Sequence, residues 1–378
     1  MHAAAQRFRR LGPGLLAGLA VWIGATPQGA SAKPAAKLTP VPTYQIEAVT
    51  TTGMGSLAMG GANLMRLMMG GAPALGSTTS RALELRLESP RVVPNPTAEH
   101  RIPVGLGMGA ALPLKSSSLA KGEVPNWNND EPLQGKLRLL VFRGCAETAG
   151  SDQPEVVSLQ GWTAEQKRLL LQPMPGGVDA SGTSGSWPSS SDAPPVPLQG
   201  SLVGSHTVVS SYAPEIRFAV EPSHDFLAPV ALSTAAAAAG AQRLSWQVVP
   251  TALGYQATAT GPGQQEGDIV IWTSSEAPRN DSWVPSDLRA AEAARLVQRQ
   301  VLLPPERTTC AISAQAMAAM QGVTIVSFTA YGDTLQLRSP KGAPAWALSL
   351  ERRSTATLPL GLPMEPEKGK GFNPFRLF

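Results

Sequence analysis

The sequence predicts a mainly β chain arranged as two β-sandwich domains with short helical inserts. Three observations carry this. Glycine (37 residues) and proline (35) are abundant while charged residues make up only 15% of the chain, which favours short strands and many turns over long helices. Arg81 to Glu88 alternates strictly, with Leu83, Leu85 and Leu87 on one face and Glu84, Arg86 and Glu88 on the other. Such a period of two marks a strand with one wet face. Leu244 to Ala259 reads as a strand pair: Leu244 and Trp246 alternate with polar neighbours, Pro250 interrupts the ladder, and Tyr255, Ala257 and Ala259 share one face beyond the turn.

The chain opens with Arg7, Arg9 and Arg10, then an apolar run from Leu15 to Ile23, then Ala30-Ser31-Ala32. That is the order of a secretory signal peptide over 1–32, with cleavage expected before Lys33. The run is broken by Gly14, Gly18 and Gly24 and falls short of the roughly 20 residues that span a bilayer. The expected location is therefore the periplasm or the exterior, with no transmembrane segment once the signal is removed. Of 31 basic residues the leader holds three, which leaves 28 against 27 acidic ones. A nearly neutral mature chain gives no electrostatic case for nucleic acid.

Strands are expected at Tyr44–Val49, Arg81–Glu88, Ile102–Val104, Lys136–Phe142 with a hairpin partner at Pro154–Leu159, Leu202–Ser210 and Glu215–Val220. These make a first domain over 41–222, interrupted near 174–199 by a Gly/Ser/Pro stretch that reads as a disordered loop. Pro222 to Gly240 reads as a connector. The second domain, 223–356, continues with strands at Asp268–Thr273, Thr308–Ile312, Val323–Tyr331 and Thr334–Arg338. A helix over Asp287–Gln300 has acidic residues early and arginines late, as the helix dipole favours, and Ser313 is placed to cap a short helix ending near Met320. A Pro/Gly-rich tail, 357–378, closes the chain.

The run Leu244-Ser-Trp-Gln-Val-Val-Pro-Thr-Ala-Leu-Gly-Tyr255 and the ending Ala330-Tyr331-Gly332 resemble the second, third and sixth strands of fibronectin type III domains. The resemblance covers about a third of the chain. It implies a sandwich that serves as a scaffold or binding module. The helix at 287–300 and the one before the sixth strand depart from the family pattern. The runs Leu140 to Glu147, Gln153 to Val157, Thr308 to Gln315 and Phe328 to Gly332 more loosely resemble uncharacterised exported proteins of Gram-negative bacteria. That likeness implies no activity and carries over no functional residue.

Catalytic motifs are absent from the sequence: no Gly-x-Ser-x-Gly elbow, no His-Glu-x-x-His and no phosphate loop. Beyond the leader there are three histidines, His100, His206 and His224. Clustering of one of them with a carboxylate would favour a secreted hydrolase. Cys145 and Cys310 have two readings, a disulfide or two buried thiols. Met65, Met68 and Met69 have three: a packed stripe, a contact with a partner or membrane, or soft thioether ligands of a periplasmic copper protein. Trp127, Trp187 and Trp283 lie in turn-rich sequence and are candidate contact residues, with rings tucked under loops as the alternative. Phe372, Phe375 and Phe378 form a candidate docking peptide. The function these features support is a non-catalytic envelope adaptor without a cofactor, binding a protein or a glycan.

Overall fold

The computed structural model describes residues 41–53, 79–119, 138–158, 182–189, 195–278, 284–285 and 287–361. Its strands, in chain order, begin with β1 (Thr43–Gly53), β2 (Thr79–Ser89), β3 (Ala98–Arg101), β4 (Ala111–Leu119), β5 (Arg138–Arg143), β6 (Glu155–Ser158), β7 (Gly182–Trp187), β8 (Gly204–Ser210) and β9 (Ile216–Val220). They continue with β10 (Ser233–Ala236), β11 (Gln242–Ser245), β12 (Ala252–Pro262), β13 (Asp268–Thr273), β14 (Thr309–Ile312), β15 (Thr324–Gly332), β16 (Leu335–Arg338) and β17 (Ala347–Leu360). Helix α1 covers Ala290–Gln298 and α2 covers Ala314–Ala319.

One mixed sheet runs β6-β5-β13-β12-β15-β17-β1-β2-β7-β4-β3-β8-β9, with β16 also on β17, and a second sheet holds β10-β11-β14. The two parts that the sequence separates at residue 222 therefore share backbone hydrogen bonds. β1 lies parallel to β17 from Thr43 opposite Ala347 to Gly53 opposite Thr357. β5 lies parallel to β13 from Arg138 opposite Asp268 to Arg143 opposite Thr273. Arg138 also grips the Asp268 carboxylate with two nitrogens at 2.7 Å. The described residues from 41 to 361 belong to one compact unit.

Among the described residues two large cores lie along this sheet, and a smaller cluster around Leu288, Leu296 and Leu302 sits beneath α1. The first gathers Tyr44, Ile46, Leu83, Leu85, Leu87, Leu112, Val208, Ile216 and Phe218, together with Trp346 just before β17 and Leu348 and Leu350 within it. The second gathers Phe142, Leu244, Trp246, Tyr255, Ala257, Val270, Trp272, Ile312, Phe328 and Ala356. Trp246 and Tyr255 are buried, as the alternation of 244–259 predicts, and the Trp246 ring lies 4.6 Å from that of Phe328.

β17 serves both cores, and its buried face records the change. Leu348 and Leu350 enter the first core, Arg352 and Ser354 are buried and polar, and Ala356 enters the second. β1 changes in step, from Tyr44, Ile46 and Ala48 to the buried Thr50 and Thr52. The polar stretch matches the connector, which lies against it. Thr50 Oγ1 donates to the Leu227 carbonyl and Thr52 Oγ1 to that of Val230, both at 2.8 Å, and Arg352 Nη1 donates to the Asp225 carbonyl at 3.0 Å. An irregular buried segment needs partners for its carbonyls, and these three side chains supply them.

The strand expected at Ile102–Val104 is a 3-10 turn at Val104–Leu106, while the strand itself, β3, ends at Arg101. β7 falls inside the stretch expected to be disordered. Its glycines let it in: a Cβ on Gly182 would strike the Ser89 carbonyl, and one on Gly185 would strike the Tyr212 hydroxyl. The first four residues of the expected tail, Thr357 to Leu360, complete β17 and pair with β15. The expected hairpin of β5 with β6 is present. α1 is shorter than expected, and Ser313 caps α2 by accepting from the Ala316 N–H. Among the described residues no helix is long and apolar enough to cross a membrane.

Candidate functional site

Where the connector meets the second core there is a groove of about 540 Å³. One wall is the end of β1 with the start of β2 (Thr52, Gly53, Thr79), another the connector from Pro229 to Ser233. The remaining sides are Ser245, Trp246 and Gln247, continuing from β11, and Ala356 and Leu358 of β17. Among the described residues no lining residue is charged, and hydroxyl and amide groups sit beside apolar ones. Ser233 and Gln247 are exposed. The Trp246 indole N–H is buried without a hydrogen-bond partner among the described residues.

The histidines fall into two unrelated settings. His100 of β3 and His206 of β8 are buried and bonded to each other, Nε2 to Nδ1, at 3.0 Å. His100 Nδ1 meets the Tyr44 hydroxyl at 2.8 Å, and His206 Nε2 meets the Leu202 carbonyl at 2.7 Å. Phe218 stacks on His206 with centroids 4.7 Å apart. Burial, and His206 beside it, push the His100 pKa down to about 3; burial also lowers that of His206. Among the described residues neither imidazole touches a carboxylate, so this pair lacks the clustering that a hydrolase reading needs.

His224 is the histidine near a carboxylate. Its Nε2 lies 3.9 Å from Asp333 Oδ2, and its Nδ1 lies 3.1 Å from the hydroxyl of exposed Ser223. The order Ser-His-Asp invites comparison with a nucleophile, a base and its orienting acid, for which each contact should fall within about 2.6–3.2 Å. The carboxylate is too distant, and its other oxygen accepts from the Ala290 N–H. Burial and the Arg352 charge lower the His224 pKa against the pull of Asp333 and Glu221. Asp225, next in sequence, turns elsewhere and accepts from Ser201 Oγ at 2.6 Å and the Leu202 N–H at 2.8 Å.

Cys145 and Cys310 are joined in a disulfide. It ties the turn after β5 to β14, beside a hydrogen bond from the Ala311 N–H to the Cys145 carbonyl. Trp187, a candidate contact residue, is buried in β7 opposite Leu85 within the first core, so its ring is packed rather than presented. The other sequence-derived candidates, Trp127, Trp283, Met65, Met68, Met69, Phe372, Phe375 and Phe378, lie outside the described residues. Among the described residues no group of His, Cys, Asp and Glu could hold a metal ion.

Of the groove only Trp246 stands out in the sequence, and there as a core residue. Thr52, Ser233, Gln247 and Leu358 belong to separate strands and a connector, and no local pattern joins them. Comparison with protein-family models, curated proteins and solved structures returns no match.

Proposed function

We propose that the chain is a non-catalytic exported adaptor that holds a protein or a glycan of the cell envelope in the groove between β1, the connector and β11. The observation that carries this reading is the groove itself, of about 540 Å³, walled by Thr, Ser and Gln beside Val, Leu and Trp, with no charged group among the described residues. Such a lining suits an uncharged ligand face, where hydroxyl and amide groups fix orientation and apolar ones supply area. An extended peptide fits better than a flat sugar ring, because Trp246 is 95% buried and offers no open aromatic platform.

The reading includes export through the leader at 1–32 to the periplasm or beyond, and two sandwich-like cores, the second fibronectin type III-like. Supporting the last point, the β10-β11-β14 sheet packs Leu244 and Ile312 against Tyr255 and Phe328 of β12 and β15. The aromatic tail with Phe372, Phe375 and Phe378 is a second contact in the same reading.

The test is affinity capture of the processed chain from envelope extract, alongside Ser233→Trp, which fills the groove from an exposed position, and a truncation after Gly361. Groove binding predicts at least tenfold weaker recovery of a partner by Ser233→Trp. Unchanged recovery by that variant discards the groove, and unchanged recovery after truncation discards the tail. The hydrolase alternative draws on Ser223, His224 and Asp333. A fluorophosphonate probe that labels the native chain but not Ser223→Ala would favour it.

A further inference from the structure

The Tyr44–His100–His206 chain links β1 to the paired strands β3 and β8, which do not adjoin β1 in the sheet. The sheet turns over at β4, whose first half pairs with β3 and whose second half pairs with β7. This brings β3 and β8 across the first core from β1, and the two imidazoles bridge the gap. The direction of every bond in the bridge is forced. The Leu202 carbonyl can only accept, so His206 carries its proton on Nε2. In the neutral ring Nδ1 must then accept, and His100 Nε2 donates to it. His100 Nδ1 accepts in turn from the Tyr44 hydroxyl.

No site in this chain is free for another proton. One added at His206 Nδ1 would set two N–H groups against each other across 3.0 Å. One added at His100 Nδ1 could be met only by turning the Tyr44 hydroxyl round, and would leave a cation among apolar side chains.

Among the described residues the surroundings offer that cation no counter-charge. Facing the pair are Tyr44 of β1 and Phe218 of β9; Tyr212, after β8 in the same core, has its hydroxyl engaged with Ser116. β2 and β4 contribute Leu85, Leu87, Leu112 and Leu114 to the same core. Their charged residues lie on the outward positions: Glu84, Arg86 and Glu88 on β2, Lys115 on β4, Glu99 paired with Arg101 on β3, and Glu215 with Arg217 by β9. On β1, Glu47 pairs with Arg353 on the outer side. Behind Leu202, Asp225 is spent on the Ser201 hydroxyl and the Leu202 and Phe226 N–H groups, and Arg81, on the Gly200 carbonyl, adds positive charge.

We propose that the Tyr44–His100–His206 chain is an acid-operated latch, whose protonation frees β3, β8 and β9 from β1 while the second core stays folded. The second core contains no histidine and is held by Cys145–Cys310. The lowered affinity of both imidazoles for protons agrees in direction. A base that binds protons more weakly when folded contributes stability that is full above the unfolded value near 6.5 and is lost as pH falls below it.

The test is amide hydrogen exchange followed by mass spectrometry on the full processed chain at pH 7.0 and pH 4.5, corrected for the intrinsic pH dependence of exchange. The latch predicts that protection in β3, β8 and β9 falls at least tenfold at pH 4.5 while β12 and β15 keep theirs. In His100→Phe/His206→Leu the acid response of the first core should disappear. NMR titration of the native imidazoles serves as a second measurement if that variant does not fold; both rings should stay neutral until β3 and β8 open. Unchanged protection at pH 4.5, joint loss in both cores, persistence of the response in the variant, or two imidazoles titrating near 6.5 in a closed core would overturn the proposal.

Discussion

Replacing Arg352 with methionine removes a buried cation at the point where the sheet passes from the first core to the second. Arg352 is 2% exposed. Its Nε donates to the Asp333 carbonyl at 3.2 Å, and its Nη1 to the Asp225 carbonyl at 3.0 Å and to Thr251 Oγ1 at 3.4 Å. Three segments thus converge on one side chain: the connector, the turn into β12 and the turn after β15. A hydrogen bond from a charged donor is worth about 1.5–3 kcal/mol net, and the bond of 3.4 Å belongs at or below the low end. Against this stands the desolvation of the guanidinium, which lowers its pKa and is relieved in the variant. The balance is a loss of about 2–4 kcal/mol, measured by urea melts followed through tryptophan fluorescence. A loss below about 1 kcal/mol, or a gain, would refute the claim that Arg352 pins the connector. An independent readout comes from His224. The Arg352 charge depresses its pKa while Asp333 and Glu221 raise it, so in Arg352→Met the His224 pKa measured by NMR should rise. An unchanged or lower value would mean the cluster is not arranged as described.

Trp246→Ala should cost about 3–5 kcal/mol in the same melts, the range for a buried aromatic truncation; a cost under 1 kcal/mol would place the ring outside the core. Tyr255→Phe strips the Val249 N–H and the Pro305 carbonyl of their shared partner. It should cost about 1–3 kcal/mol, and no change in denaturation midpoint would show that those groups find water instead. Reducing Cys145–Cys310, whose cysteines are 165 residues apart, should lower stability by about 2–5 kcal/mol, since the chain-entropy model gives a loop of this length about 5 kcal/mol at most. Calorimetry with and without a reductant would detect this, and an unchanged Tm would contradict it. His100 is held down to about 3 by burial and by its neighbour His206. Its contribution is therefore full above pH 6.5 and falls toward pH 3 by up to about 1.4 kcal/mol per pH unit. Urea midpoints flat between pH 7 and 4 would contradict that sign.

The sequence was most legible where one strand face is apolar and the other wet. Leu83, Leu85 and Leu87 announce β2, and Trp246 and Tyr255 announce the second core. β7 stayed hidden because its places beside Ser89 and Tyr212 admit only glycine at 182 and 185, so it reads as a linker. β17 stayed hidden because Arg352 and Ser354 interrupt its inward apolar series, for a reason that only the connector reveals. Both cores draw on residues from either side of residue 222: Phe142 lies in the second, and Phe226, Leu348 and Leu350 lie in the first. Hydrogen bonds joining Thr43 to the strand at Ala347, or Arg138 to the strand at Asp268, leave no local trace in either partner. Nor does the groove, whose walls come from five stretches without a shared period. The histidine pair was visible only as two separate residues, because the bond between them depends on β3 and β8 being neighbours.

The groove as ligand face is tested most directly by photocrosslinking in the cell of origin. A photoreactive residue at Gln247, exposed on the groove wall, is compared with one at Val156, exposed at the far edge of the sheet on β6. The account predicts one discrete crosslinked species from position 247 that is lost when Ser233→Trp fills the groove, and none from position 156. Equal crosslinking from both positions, or a product at 247 that persists with the groove filled, would contradict it.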